Sequence, residues 1–267
     1  MIIDDILKSY LEKIEVFKKL NLFLRRELWK NKDVLNYIFK RRGFSSNDVN
    51  LFQLGYDPGN TVLNDYLNRN NIPLSSLSTV GYLTQNENDT FYDKFEDRII
   101  FPIHNIKGHV VGFSGRVWRE DDNRGKYTLT NNSGIFQKSF NLYGLYHNLN
   151  SINRYKTAML VEGNTDVISC KKASINIAVS AFGTSFMEEH LQVLMMFADK
   201  FIFCQDNDSA GEKSIQKIKQ IVSPYKNIQV AYLKLEGPKD PDDYIKKYGG
   251  DSLKNKVSKI FEEFHSV

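Results

Sequence analysis

Cysteine is scarce in this 267-residue chain, which contains only Cys170 and Cys204. A four-ligand zinc site needs closely spaced Cys or His pairs, and neither cysteine has such a neighbour, so we expect no zinc site in the chain. Two isolated cysteines also exclude a disulfide framework. Both stand in apolar surroundings, Val-Ile-Ser-Cys and Phe-Ile-Phe-Cys, which is typical of buried thiols in a reducing compartment.

Long apolar runs and a strong charge imbalance are missing too. No uncharged apolar run approaches the roughly 20 residues of a membrane helix. The first eight residues carry two aspartates and no basic region ahead of the apolar positions, which argues against a signal peptide. We therefore expect a cytoplasmic protein without a membrane partner. Lys and Arg number 36 and Asp and Glu 32, and this formal charge of +4 permits a nucleic-acid partner without requiring one.

The composition that is present is that of a globular protein, with 41% hydrophobic and 25% charged residues. A chain of this length can bury a sizeable core in one or two domains. Apolar residues recur at three- and four-residue spacing in the first third, which predicts helices. Two β-type runs at 98–103 and 109–113 flank a turn at 105–108 and predict a hairpin.

The second half alternates strands and helices. The strands are predicted at 157–161, 177–182, 201–204 and 228–233, and the helices between them at 166–172, 187–197 and 210–222. This order predicts an α/β fold with a parallel sheet flanked by helices, an N-terminal mixed α/β subdomain and a short C-terminal helical segment. We place the domain limits at 1–153, 154–235 and 236–267. Ligands of such sheets bind beyond the carboxyl ends of the strands.

Acidic residues follow three of the four predicted strands, namely Glu162 and Asp166, then Asp206 and Asp208, then Asp240 and Asp242. Converging carboxylates repel one another unless a cation lies among them, and Mg²⁺ prefers oxygen ligands. The alternative is that each acid caps a helix. Three clusters at one edge, two of them with an adjacent glycine, favour a metal site. The loop with Gly183 and Thr184 lies at the same edge and either binds phosphate or caps a helix through Thr184 or Ser185.

Basic residues are concentrated between Arg98 and Lys138, where seven Lys and Arg stand against three acids, with Tyr127 and Phe136 among them. Such cations hold phosphates, and aromatic rings stack on bases. Basic side chains also decorate solvated hairpins, so composition alone leaves both interpretations open.

Four motifs of the second half together resemble a TOPRIM domain, in the version found in the catalytic core of bacterial-type DNA primases. They are Glu-Gly-x-x-Asp from Glu162, Gly-Thr-Ser at 183–185, Asp-x-Asp-x-Ala-Gly at 206–211 and Asp-Pro-Asp at 240–242. Segments 92–103, 112–116, 126–127 and 142–145 are similar to the family upstream of these motifs, in the family's order. Ser114 and Leu129 depart from it, standing where the family has glycine and asparagine.

The resemblance implies a DNA primase, a DNA-directed RNA polymerase that makes short RNA primers on single-stranded DNA for DNA replication. Its substrates are ribonucleoside triphosphates, and it uses Mg²⁺ or Mn²⁺ for nucleotidyl transfer. Glu162, Asp206 and Asp208 are the implied catalytic residues, and Asp166, Asp240 and Asp242 join them around the metal. The residues implied to bind template or triphosphate are Arg98, Arg116, Lys126, Tyr127, Lys138, Gly183 and Thr184.

The family normally carries an N-terminal zinc-binding domain and a C-terminal helicase-binding domain, and neither fits in this chain. We therefore expect either an excised core or a small, phage-encoded primase, with a replicative helicase and a zinc-binding domain as partners in trans, in a bacterial or phage-infected cell. Two alternatives use the same fold. A TOPRIM nuclease or topoisomerase-like enzyme would cut DNA with these acids, and a non-catalytic adaptor would only bind single strands.

Overall fold

The chain folds into two compact units, residues 1–137 and 138–267. The computed structural model describes residues 2–86, 88 and 90–265. The division between the units precedes the limit after residue 153 that the sequence favours, and the three-part division stays a prediction. Each unit is described below by itself.

The N-terminal unit combines short helices with an antiparallel sheet. Its described elements are α1 (Ile2–Lys30), α2 (Lys32–Asn36), a π-helix (Tyr37–Arg41), α3 (Ser46–Leu51), β1 (Gly55–Asp57), α4 (Asn60–Arg69), α5 (Leu74–Thr79), β2 (Leu83–Gln85), β3 (Phe91–Asp93), β4 (Arg98–His104), β5 (Val110–Val117) and β6 (Tyr127–Leu129). The main sheet has the order β1-β4-β5-β6, and β2 pairs with β3. The hairpin predicted from the sequence is confirmed as β4 and β5, which pair antiparallel with Arg98 opposite Val117.

Helix α1 packs its apolar face on this sheet. Phe17, Leu20 and Leu24 are fully buried at a spacing of three and four residues. The Phe17 ring lies 5.4 Å from that of Phe113 on β5. Gly55 permits the close approach of α1 to β1, because a Cβ there would lie 2.8 Å from the Leu24 Cβ. Although α1 is long, neither it nor another helix of the described residues is apolar enough to cross a membrane.

Two buried acids share the interior of the N-terminal unit. Asp57 on β1 and Asp93 on β3 are 0% and 1% exposed, and they lie close enough for the charge of Asp57 to act on Asp93. The Tyr82 hydroxyl donates to Asp57 Oδ2, and the Phe95 N–H donates to Asp93 Oδ1 at 2.8 Å. Burial, together with the charge of Asp57, raises the pKa of Asp93 to about 8. The pair therefore holds a proton at neutral pH.

The C-terminal unit is an α/β sandwich around a parallel sheet. Its described elements are a 3₁₀-helix (Lys138–Phe140), α6 (Leu145–Tyr155), β7 (Thr157–Val161), α7 (Asn164–Lys172), β8 (Ala178–Ser180), α8 (Glu188–Met195), β9 (Lys200–Phe203), α9 (Ser209–Val222), β10 (Gln229–Tyr232), α10 (Pro241–Tyr248) and α11 (Gly250–His265). The four strands run parallel in the order β10-β9-β7-β8. The α/β fold predicted from the alternating pattern is confirmed.

The strand lengths differ from the prediction at one informative place. The sequence predicts a strand over 177–182, whereas β8 ends at Ser180. Phe182 and Gly183 adopt φ angles of +62° and +73°, which lie in the left-handed region. Extended pairing cannot continue through that conformation, so the chain turns away from the sheet two residues earlier than its apolar character suggests.

Candidate functional site

The carboxyl ends of the parallel strands lie level at one edge of the sheet. Leu160 is opposite Phe203, and Val161 is opposite Ser180. The loops that follow β7, β8 and β9 therefore leave the sheet side by side. This register brings Glu162 and Asp206 together, as the sequence predicts from their positions after the strands.

Glu162 is held against the loop after β9. Its Oε1 accepts the backbone N–H of Asp206 at 3.0 Å, and its carbonyl accepts the N–H of Gly183 at 2.9 Å. Partial burial raises the pKa of Glu162, and the negative charges of Asp208 and Asp240 raise it further. This carboxyl is therefore better suited to accept a proton than an exposed glutamate.

Asp206 and Asp208 face a common cation, the Lys239 ammonium. Lys239 Nζ lies 3.4 Å from Asp206 Oδ2 and 2.9 Å from Asp208 Oδ2. The Asn207 N–H donates to the Lys239 carbonyl at 2.7 Å, which fixes the backbone of the lysine beside the acidic loop. The hydrogen bond with Asp208 is the main reason that the pKa of Lys239 is raised. The ammonium group thus stays charged between the two carboxylates.

The two aspartates of this pair differ in their proton affinity. Burial raises the pKa of Asp206 to about 6, with further contributions from Glu162 and Asp240. Backbone N–H donation from Gly211, together with Lys239, lowers the pKa of Asp208. Asp208 also caps helix α9, since its Oδ1 accepts from Ala210 and Gly211. The helix-cap alternative therefore holds for Asp208, and its Oδ2 still faces the shared cation.

Asp166 and Asp242 form a second, more deeply buried pair. Asp166 Oδ2 accepts the N–H of Gly163 at 2.9 Å, and its Oδ1 accepts the N–H of Asp242 at 3.2 Å. Asp242 in turn accepts from the Ser169 hydroxyl at 2.7 Å and pairs with Lys246 at 2.6 Å. Burial raises the pKa of Asp166 well above its usual range, with help from nearby acids. These contacts join α7 to α10, so both carboxylates help to hold the two helices together at the edge of the site.

Asp240 lies between the two pairs and caps α10. Its Oδ1 accepts the N–H of Asp243 at 2.8 Å. Burial raises the pKa of Asp240, and the neighbouring charges of Asp243 and Asp242 add to the effect. The Asp-Pro-Asp segment thus starts a helix and at the same time adds negative charge to the sheet edge.

The acidic edge has the donor chemistry of a magnesium site. The oxygens of Glu162, Asp206 and Asp208 are the ligand type that Mg²⁺ prefers. Neighbouring negative charges help to raise the pKa values of Glu162 and Asp206, so positive charge placed beside these two carboxyls is favourable. The Lys239 ammonium supplies part of that positive charge. Within residues 2–86, 88 and 90–265, no three His, Cys, Asp or Glu side chains are grouped so that they could hold an ion as they stand.

Two hydrogen-bond donors of the Gly183–Thr184 loop are bonded to backbone carbonyls of the chain itself. The Thr184 hydroxyl donates to the Ala181 carbonyl at 2.5 Å, and the Gly183 N–H is taken by Glu162. A phosphate role for this loop stays a prediction. The alternative that Thr184 or Ser185 caps the next helix is wrong: the cap position is Met187, whose N–H donates to His190 Nδ1 at 3.1 Å.

The basic candidates are distributed over both units. Arg98 and Arg116 are largely buried in the N-terminal unit. Arg98 Nη1 donates to the Gly125 carbonyl at 2.8 Å, and Arg116 Nη1 donates to the Tyr127 hydroxyl at 2.5 Å. Burial lowers the pKa of Arg98. Tyr127 is thus a partner of Arg116, with the guanidinium 5.1 Å from its ring centroid.

The two lysines among the basic candidates differ in setting. Lys126 is exposed just before β6, and Lys138 is half-buried at the start of the 3₁₀-helix of the C-terminal unit. The carbonyl of Lys138 lies 2.9 Å from His190 Nε2. Because His190 Nδ1 accepts a hydrogen bond from the Met187 N–H, its Nε2 is the nitrogen that donates to this carbonyl. The His190 ring therefore holds the backbone of Lys138 in place.

Lys239 is part of the acidic edge, and the sequence-based prediction assigned it no role. It directly precedes the Asp-Pro-Asp motif, and a cation beside a cluster of acids is the signal that could have found it. Its effect depends on the loop after β9, which is more than 30 residues earlier in the chain, so the spacing of the motif alone does not indicate it.

Two family models match the chain. The model described as DNA primase catalytic core, N-terminal domain, matches residues 23–149, and the Toprim-like model matches residues 159–245. The DNA primase of Borreliella burgdorferi is 37% identical over 242 residues, covering 89% of this chain and 45% of the relative. That of Rickettsia felis is 33% identical over 250 residues, covering 93% of this chain and 41% of the relative. The chain thus spans less than half the length of these relatives.

Solved structures agree with these matches. A DNA primase domain from Pseudomonas aeruginosa superimposes with a TM-score of 0.84 at 30% identity, covering 92% of this chain and 78% of that one. A structure described as the DnaG primase catalytic domain bound to ssDNA gives 0.82 at 28% identity, covering 95% and 80%. The E. coli primase catalytic core gives 0.81 at 28% identity, covering 92% and 79%.

Proposed function

This chain belongs to the DNA primase catalytic core family, and we propose that it makes short RNA primers on single-stranded DNA from ribonucleoside triphosphates. The observation that carries the proposal is the meeting of Glu162, Asp206 and Asp208 at the carboxyl edge of the parallel sheet. The similar DnaG catalytic domain bound to ssDNA supports single-stranded DNA as the template.

Glu162, Asp206 and Asp208 would hold Mg²⁺ or Mn²⁺ in this proposal, with Asp166, Asp240 and Asp242 shaping the acidic edge. The bound ion supplies positive charge for the triphosphate and favours ionisation of the attacking hydroxyl. The contacts of Lys239 with Asp206 and Asp208 keep the two carboxylates close together beforehand. Asp166 and Asp242 contribute through the helices that they join.

The proposed reaction joins a primer 3′-oxygen to the α-phosphorus of the incoming triphosphate. The bond between the α-phosphorus and its bridging oxygen breaks, and pyrophosphate leaves. Glu162 takes the proton of the 3′-hydroxyl. Its Oε1 accepts the Asp206 N–H, so Oε2 is the atom assigned to the proton. The raised pKa of Glu162 suits this role, because a general base works best when its pKa is near the working pH.

The basic residues would position the nucleic acid and the triphosphate. We assign this role to Arg98, Arg116, Lys126 and Lys138, with Tyr127 acting through Arg116. Arginine and lysine side chains neutralise phosphates without reading base identity. Gly183 and Thr184 are also assigned to triphosphate binding. A replicative helicase and a zinc-binding domain are the proposed partners of the priming reaction.

The test is primer synthesis by the purified 267-residue chain on single-stranded DNA, with four ribonucleotides and Mg²⁺ or Mn²⁺. We expect labelled RNA products from the wild type and none from Asp206→Ala or Asp208→Ala. Asp251→Ala is the matched control, because this exposed acid lies in α11, outside the acidic edge. Products from both aspartate variants at the wild-type level would refute the assignment of the site.

A companion assay with supercoiled plasmid and no nucleotides separates polymerisation from DNA cleavage. Primer synthesis with intact plasmid supports the proposal. Metal-dependent nicking or relaxation without primer synthesis would replace it with the nuclease or topoisomerase-like alternative.

A further inference from the structure

A groove of about 530 Å³ lies between helix α9 and strand β10 of the C-terminal unit. It extends from the loop after β9 to the end of β10, and the half-buried side chains of Ile215 and Leu233 give it apolar surface. Lys213 and Lys234 also line it, and both are exposed. Asp206 lines it too and is already paired with a lysine. None of the roles assigned above uses the part of the groove beside β10.

Strand β10 is the outer strand of the parallel sheet at this groove. Among the strands of the described chain, it pairs with β9 alone. Strands β7 and β8 are buried throughout, whereas every residue of β10 is half-buried or exposed. Parallel sheets are normally covered on both faces, so β10 is an exception within its own sheet. An open edge of this kind can pair with a further strand.

The backbone of β10 shows which groups face the open edge. The N–H groups of Gln229 and Leu233 donate toward β9, at 2.8 and 2.9 Å. Successive residues of a paired strand turn their N–H and C=O groups to opposite sides. The N–H and C=O groups of Val230 and Tyr232 therefore point away from β9. They form a short row of donors and acceptors along the edge.

The surface around this edge is strongly basic. Residues 213–234 contain five lysines and no Asp, Glu or Arg. The Lys219 ammonium lies 5.3 Å from the centroid of the Tyr232 ring. The nearby acid is Glu212, whose carboxylate lies 3.9 Å from Lys234 Nζ, and both side chains are largely exposed. Exposed pairs of this kind contribute little, so the lysine remains able to bind another carboxylate.

We propose that β10 and the groove bind an acidic segment of another protein in an extended conformation, added as a further strand along β10. Its backbone pairs with Val230 and Tyr232, and one apolar side chain enters the groove. Its carboxylates lie beside Lys213 and Lys234. In strand addition of this kind, backbone hydrogen bonds provide affinity and side-chain pockets provide selectivity.

A peptide fits this surface better than a nucleic-acid strand does. The edge of β10 offers both N–H donors and C=O acceptors, and an extended peptide matches both. A phosphate group supplies acceptors only and leaves the C=O groups of the edge unmatched. The Tyr232 ring already packs against Phe203, at 5.9 Å and 25° between the rings, and against Lys219. It therefore has little free face for a base to stack on.

A second copy of the chain fits less well for an electrostatic reason. Antiparallel pairing of two β10 strands centred on Val230 would place Lys226 of one copy opposite Lys234 of the other. Like charges directly opposite each other destabilise a strand pair. Lysines beside an edge strand also oppose pairing between identical edges. An acidic partner replaces this repulsion with attraction.

Binding of a defined peptide to the full chain tests the proposal. The probe is a fluorescein-labelled ten-residue peptide that alternates aspartate with valine, followed by fluorescence anisotropy at low salt without metal or nucleotides. A peptide that alternates lysine with valine is the matched control. We expect saturable binding of the acidic peptide and none of the basic one. Absence of saturable binding, or equal binding of both peptides, would overturn the proposal.

Two kinds of variant locate the bound peptide. Lys213→Gln/Lys234→Gln should weaken binding about 2- to 30-fold, because two exposed charge pairs are lost. Lys254→Gln/Lys259→Gln, which changes two exposed lysines of α11, should leave the affinity unchanged. Val230→Pro removes an N–H that points away from β9 and should weaken binding about 2- to 10-fold. Circular dichroism shows whether each variant is folded.

Amide NMR signals of the wild type give a readout that needs no variant. The signals of Val230 and Tyr232 should shift on addition of the acidic peptide, since their N–H groups face the added strand. Shifts confined to other elements, or equal affinity of the two double-lysine variants, would overturn the proposal.

The remaining occupants are separate outcomes. Displacement of the peptide by single-stranded oligo(dT), with oligo(dT) binding weakened by Lys213→Gln/Lys234→Gln, would make this a nucleic-acid surface and overturn the proposal. A wild-type dimer in sedimentation experiments that is abolished by Val230→Pro would assign the edge to a second copy and overturn it as well. None of these measurements involves primer synthesis, so they are independent of the proposed function.

Discussion

Single residues fix the acidic edge, and Gly211 is the most constrained of them. A Cβ at this position would lie 2.0 Å from the Asp206 carbonyl oxygen and 2.9 Å from its carbon, so only glycine fits beside the loop after β9. The contact is with backbone, which cannot rotate away. The glycine of the Asp-x-Asp-x-Ala-Gly motif is therefore required by the packing of α9 against the loop that carries Asp206.

Gly211→Ala should destabilise the chain by about 1–3 kcal/mol, the usual cost of forcing an extra methyl into a packed site. Urea unfolding followed by circular dichroism measures the change. Gly125→Ala is the matched control, since the nearest atom to its Cβ would be 3.8 Å away. Equal stability of the two variants would contradict the close approach.

Lys239 governs the proton affinity of its two partners. Lys239→Gln removes the cation that lies beside Asp206 and Asp208, so the pKa of Asp206 should rise above its value of about 6. Carbon-detected NMR titration of the aspartate carboxyls reports the shift directly. Lys234→Gln, which removes an exposed lysine 3.9 Å from Glu212, should leave the Asp206 titration in place. A pKa of Asp206 unaffected by Lys239→Gln would exclude the electrostatic role of the lysine.

At the scale of elements, one cluster of hydrogen bonds joins α7 to α10. Ser169 and Asp242 are both at most 4% exposed, and the serine hydroxyl donates to a charged oxygen. Ser169→Ala leaves that acceptor without this donor and should lower the free energy of unfolding by about 1.5–3 kcal/mol.

Chemical denaturation also tests this junction. Ser223→Ala is the control, because its exposed hydroxyl bonds only to a carbonyl of its own helix, and its effect should stay within about 0.5 kcal/mol. If the two serine variants unfold at the same urea concentration, the junction contributes nothing to stability.

The order of the elements could be predicted from the sequence, whereas several of their ends could not. Apolar runs such as 157–161 define parallel strands because both faces of the sheet are covered, and β7 has the predicted limits. The end of β8 depends on positive φ angles at Phe182 and Gly183, which apolar patterning does not encode. The cap of α8 likewise depends on the His190 imidazole, a residue type outside the usual capping set.

The sequence predicts which acids lie at the sheet edge but not the partners that distinguish them. Position after a strand predicts that Glu162 and Asp206 meet, because parallel strands end at one edge. The position of the Lys239 ammonium between Asp206 and Asp208 depends on contacts between distant segments. Such contacts follow from the folded arrangement of loops, for which local spacing gives no rule.

At the scale of the whole molecule, raised carboxyl pKa values make stability depend on pH. A carboxyl whose pKa is higher in the folded chain than in the unfolded one binds more protons when folded. Its contribution is complete below the unfolded value of about 3.9 and is lost as pH rises through the folded value. For Asp93 the folded value is about 8 and for Asp206 about 6.

The free energy of unfolding should therefore fall between about pH 4 and pH 8 through these groups. Asp93→Asn removes one titrating carboxyl, keeps an oxygen for the Phe95 N–H and can donate to Asp57, so its stability should decline less over this range. Urea titrations at each pH give both curves, with exposed Asp251→Asn as the control. Parallel curves for wild type and Asp93→Asn would show that the buried pair does not share a proton.

The Lys239 ammonium group is a counter-ion for Asp206 and Asp208 that belongs to the polypeptide itself. The carboxylates of the acidic edge can therefore come together during folding without a divalent ion from solution. Any cation that binds at this edge would therefore meet carboxylates that Lys239 already holds together.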